Sequence, residues 1–169
     1  MTRVQDANVK AIGFDPVKLS VIGDAVDITQ GTQPFGSPSL SPDGQWVTFH
    51  SLGAPREDIW LRRADGSGTP TNLTDDQPID RSPLWSPVGQ HLVFFSDRTG
   101  LSQIWLMNSD GSGKRQLTFA EVGCAFPFWS PDGQRVAYQL TGAAVFGNEK
   151  RRQQGTQIIE VDIPWAQQT

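Results

Sequence analysis

Apolar residues along this chain come in strand-length runs, without the i, i+3, i+4 spacing of an amphipathic helix. Val47-Thr48-Phe49, Leu92-Val93-Phe94-Phe95 and Val136-Ala137-Tyr138 are consecutive rather than strictly alternating, the mark of strands covered on both faces. Turn residues with definite roles stand between the runs. In Ser41-Pro42-Asp43-Gly44, Pro presets φ, Asp bonds its own backbone, and Gly supplies the positive φ of a bulged hairpin return. Asp65-Gly66 and Asp110-Gly111 mark a second set of tight hairpins. The pattern predicts an all-β chain.

These elements recur. The segment Ile59 to Gly68 reappears as Ile104 to Gly113, with seven of ten columns identical at an offset of 45. The turn at Pro42 returns at Pro87 and Pro131, offsets of 45 and 44. Thr29, Thr74 and Thr118, each after Ile or Leu, all lie 13 residues before those prolines. Each unit holds four strand-like runs, the length and content of one propeller blade. Residues 30–74, 75–118 and 119–163 are expected as blades, the last with a long inserted loop at 142–155, and 164–169 as a tail. Residues 1–29 are expected to hold the last two strands of a preceding blade. The expected fold is therefore a β-propeller of four-stranded antiparallel blades, incomplete within this chain. It forms an open arc of about three and a half blades, whereas closed propellers have roughly four to eight.

The motif Phe-x-Ser-Pro-x-Leu/Trp-Ser-Pro-Asp-Gly-x-x-Val-x-Phe, with Ile-Trp-Leu and Leu-Thr following, resembles the TolB-type (WD40-like) propeller repeat. Pro83-Leu84-Trp85-Ser86-Pro87 and Pro127-Phe128-Trp129-Ser130-Pro131-Asp132-Gly133 carry it, and it covers about residues 26–163. True WD repeats fit less well, since Leu61 follows Trp60 and Leu106 follows Trp105. The resemblance implies a bacterial, periplasmic propeller that binds cell-envelope proteins. The same repeat also builds the non-catalytic propeller of prolyl-oligopeptidase-like serine peptidases. Two further readings therefore stay open: a propeller piece of such a peptidase or hydrolase, and a truncated reading frame without independent function.

Composition narrows the chemistry. Six Trp and nine Phe in 169 residues exclude disorder, and net charge −4 argues against a phosphate-backbone binder. One Cys, Cys124, excludes internal disulfides and multi-cysteine zinc sites. No apolar run reaches the roughly 18 residues of a membrane helix. The first 25 residues carry Asp6, Asp15 and Asp24 without an apolar stretch, unlike a secretory signal. No Gly-x-Ser-x-Gly elbow or phosphate loop occurs, so the expected protein is non-enzymatic and needs no cofactor.

In an up-and-down blade the Ser-Pro-Asp-Gly and Asp-Gly corners share one face of the disc. The other face gathers loops that vary between copies (51–57, 97–102, 141–156 and 30–36, 75–81, 119–125), where binding usually resides. Arg56, Glu57, Asp80, Arg81, Asp97, Arg98, Lys150, Arg151 and Arg152 are the candidate partner-binding residues there. Protein partners are expected, including a second copy that completes the ring, but neither nucleic acid nor membrane insertion. Asp75, Asp76 and Asp80 match no calcium-loop spacing. His50 and His91 fall in different repeat columns, and Cys124 is expected as a structural thiol in a loop between blades.

Overall fold

The computed structural model describes residues 7–53, 56–146 and 149–160, with side chains up to Thr141. The expected tail at 164–169 lies outside the described residues. All regular structure within them is β, arranged as successive antiparallel sheets. Strands β1 (Lys10–Asp15) and β2 (Ser20–Asp27) pair as a half-blade. Blade 1 holds β3 (Phe35–Leu40), β4 (Trp46–Ser51), β5 (Ile59–Arg63) and β6 (Thr71–Asn72). Blade 2 holds β7 (Asp80–Trp85), β8 (His91–Thr99), β9 (Leu101–Asn108) and β10 (Arg115–Gln116). Blade 3 contains β11 (Cys124–Trp129), β12 (Arg135–Phe146) and β13 (Glu149–Glu160).

Each sheet follows chain order, and the first strands β3, β7 and β11 pack beside one another, the geometry of wedges around an axis. The repeated turn has the same skeleton in all three copies. Gly44, Gly89 and Gly133 donate N–H to the Ser41, Ser86 and Ser130 carbonyls at 2.8, 2.9 and 2.9 Å. A threonine fixes the third strand as regularly. Thr29, Thr74 and Thr118 Oγ1 accept from Val9, Ile59 and Ile104 N–H at 2.8, 2.9 and 2.8 Å. That first bond identifies β1 and β2 as the third and fourth strands of their blade.

The core is a set of seams rather than a single centre. Val9, Ile28, Val47 and Phe49 close the first; Ile59, Leu73, Leu92, Phe94 and Met107 the second; Val93, Ile104, Leu106, Val136 and Tyr138 the third. Trp85 and Trp129 pack against the second and third clusters. Backbones approach closely at these seams. A Cβ on Gly66 would sit 2.8 Å from the Asp27 carbonyl oxygen, and one on Gly111 2.8 Å from that of Leu73, so only glycine fits either corner.

The stretch expected as an inserted loop at 142–155 is a continuation of the sheet. β12 and β13 pair without interruption from Arg135↔Glu160 to Phe146↔Glu149. Gly142 and Gly155 read as loop signals, yet backbone pairing needs no apolar side chain. Likewise most of the expected 97–102 loop belongs to β8 and β9, which pair as far as Thr99↔Leu101. Cys124 heads β11 and is fully buried, rather than standing in a loop. At the β1–β2 end of the arc Phe14, Val21 and Ile22 are 56%, 58% and 56% exposed.

Candidate functional site

Six of the nine candidate residues converge where the loop face crosses the seam between blades 1 and 2. Register brings them together: the Asp80 N–H donates to the Glu57 carbonyl at 2.8 Å, so the start of β7 is stitched to the connection before β5. Arg81 then grips the Glu57 carboxylate through Nε and Nη2. Arg56 reaches Asp75 at 2.9 Å and the Asp76 carbonyl at 3.3 Å. Arg98 points inward, at 3.1 Å from Asp76 and 2.9 Å from Asp80, with its guanidinium carbon 4.9 Å from the Trp105 ring centre. Asp97 serves the backbone, accepting the Ile79 N–H at 2.8 Å.

Burial decides what these charges can do. Asp80 is completely enclosed. Burial raises its pKa, outweighing the Ser96 hydrogen bond and the Arg98 charge that act in the other direction. Burial also acts to raise Glu57, but there the Arg81 hydrogen bonds, with the Gly53 N–H, win and hold the carboxyl below its usual range. His50, buried beside this pair, is pulled below the ordinary imidazole value by desolvation, partly offset by Glu57. The carboxylates are thus engaged by guanidinium groups, and Asp75, Asp76 and Asp80 each belong to an ion pair. Among the described residues no group of three or more His, Cys, Asp or Glu is placed to hold a metal. Burial raises the Cys124 thiol, which leaves it a poor nucleophile.

The remaining candidates lie elsewhere. Lys150, Arg151 and Arg152 are on β13, opposite Val145, Ala144 and Ala143. Sequence reasoning missed a further feature of the same face, a bulge in each first strand. Ser37, Ser82 and Phe126, one repeat apart, have φ of 47°, 52° and 53° where the register slips. The Ser37 and Ser82 hydroxyls meet at 3.3 Å, and Phe126 lies edge-on to Phe95 at 6.0 Å. The recurrent Pro38, Pro83 and Pro127 immediately after them was the available signal. It also missed Gln103, whose amide spans the connection between blades 2 and 3, donating to the Ala120 and Val122 carbonyls.

Residues 23–160 match the family model described as the TolB beta propeller domain. The chain belongs to the TolB β-propeller family. Among solved structures, it is similar to a TolB candidate from Agrobacterium tumefaciens, at 31% identity and TM-score 0.71, over 83% of this chain and 50% of that one. TolB from Acinetobacter baumannii matches at 23% identity and TM-score 0.64, over 80% of this chain and 35% of that one. A puromycin-hydrolyzing peptidase from Mycobacterium tuberculosis shares the fold at 18% identity and TM-score 0.59, over 94% of this chain and 30% of that one. The chain thus spans half the length of the Agrobacterium protein. No protein of curated function matches its sequence.

Proposed function

We propose that this TolB-family segment is a non-enzymatic scaffold that binds protein partners through its loop face. One observation carries the reading: beside loops braced by the ion-pair cluster, the same face leaves Phe119 and Phe126 at 80% and 50% exposure. Exposed aromatic side chains on a rigid support are the usual energetic anchors of a protein interface, and Arg81 and Asp75 supply a polar rim. The likeness to TolB proteins supports a bacterial periplasmic setting and cell-envelope proteins as partners. A photo-crosslinking residue at position 119 or 126 should yield adducts with envelope proteins, and one at position 71, on the outer strand β6, should not. Equal adducts from all three positions would refute the loop face. Hydrolysis of prolyl peptides by the purified protein would replace the scaffold reading with that of a peptidase.

A further inference from the structure

One copy of the Ser-Pro-Asp-Gly turn departs from the others. Asp43 and Asp132 each accept the preceding serine hydroxyl and a backbone N–H two residues on, at 3.0 Å in both copies. Val88 stands in that column in blade 2, half exposed, and makes neither bond. The turn itself is unchanged, so Val88 has no structural task there.

Val88 does line something. An open groove of about 620 Å³ runs along the corner side of the seam between blades 1 and 2, with Pro42, Trp46, Leu61 and Trp85 as its other apolar walls. Asp43 and Asp110 also line it. Each spends Oδ1 on its own turn, and among the described residues neither forms a salt bridge. Serine hydrogen bonds hold both carboxyls below the usual range, Ser41 for one and Ser112 for the other. Trp46 is already within reach of a cation, the Arg63 guanidinium at 5.2 Å from its ring centre. One repeat further on, His91 and Asp132 occupy the columns of Trp46 and Val88. The apolar lining therefore belongs to this seam alone among those two.

The size is that of a ligand site, and the chemistry is an aromatic and aliphatic trough with an anionic rim. We propose that this groove binds an extended basic peptide, with a proline or aliphatic residue against Trp85 and Val88 and a flanking arginine or lysine at Asp43 and Asp110. An extended proline-containing segment suits an aromatic groove because it is ordered before it binds, and the rim carboxylates select its charge. The groove lies opposite the loop face, so this inference stands or falls independently of the scaffold reading.

The probe is a synthetic Arg-Pro-Leu-Pro-Arg peptide, followed through the indole N–H resonances of the isotopically labelled protein. Trp46 and Trp85 should shift saturably, and salt should weaken the effect. Val88→Asn supplies the side-chain bond of the turn without adding charge, so it should keep the melting temperature while lowering affinity by about tenfold or more. Asp43→Asn with Asp110→Asn should weaken binding similarly. No saturable shift, native affinity in Val88→Asn, or equal shifts with Glu-Pro-Leu-Pro-Glu or a neutral oligosaccharide would each overturn the proposal.

Discussion

Between blades 1 and 2, Arg98 is only 14% exposed and lies against the fully buried Asp80, with Glu57 and Arg81 paired just above. Between blades 2 and 3, the columns of Asp80 and Arg81 hold Cys124 and Ala125. There Gln103 does the bridging, accepting the Thr118 hydroxyl at 2.8 Å and the Ala120 N–H at 3.1 Å. Both seams keep the same apolar columns and the same threonine bond to the third strand. Blade geometry therefore depends on packing and backbone bonding, and the polar remainder is free to differ. Burying charge costs desolvation that the ion pair offsets only when every partner is present. The charged seam should accordingly be the more brittle.

The largest expected effect follows directly. Asp80→Ala leaves Arg98 buried without its main partner and should cost about 3–5 kcal/mol in urea unfolding. A loss below that of a neutral-seam substitution would erase the distinction. At the neutral seam, Gln103→Ala orphans two carbonyls and the Thr118 hydroxyl, and should cost about 1–3 kcal/mol.

Acidity should separate the seams next. His50 has its folded-state pKa lowered, so its neutral form is preferred and stability is lost as pH falls through the unfolded value near 6.5. Asp80 is raised and works oppositely at lower pH, since the folded state takes up that proton first. Melting temperature should therefore decline from pH 7 to pH 5, and His50→Gln should flatten that decline. An unchanged slope in the variant would remove His50 from the account.

How much of this was visible in the chain depends on which force set each feature. Repeat length, blade order and corner chemistry follow from Pro42, Gly44, Thr74 and their copies, because turns and backbone bonds are local. The six seam residues could be placed on one face but not paired, since Arg98 meets Asp80 only after two strands are registered. The 142–155 stretch misled because glycine marks loops only statistically, whereas the observed pairing is a property of the backbone. The bulges escaped because the recurrent Pro38, Pro83 and Pro127 mark an interrupted ladder without saying which residue takes the positive φ found at Ser37, Ser82 and Phe126. Ser82→Gly, which relieves left-handed strain but loosens the unfolded chain, should shift stability by less than about 1 kcal/mol at either seam's common strand. A larger change would show that the Ser37–Ser82 contact carries more than shape.

The contrast between seams is tested most directly by a double-mutant cycle on Asp80→Asn and Arg98→Met, read by urea unfolding. The account predicts that the double variant is more stable than the sum of the single losses implies, with coupling of about 2 kcal/mol or more. Additive losses would contradict it.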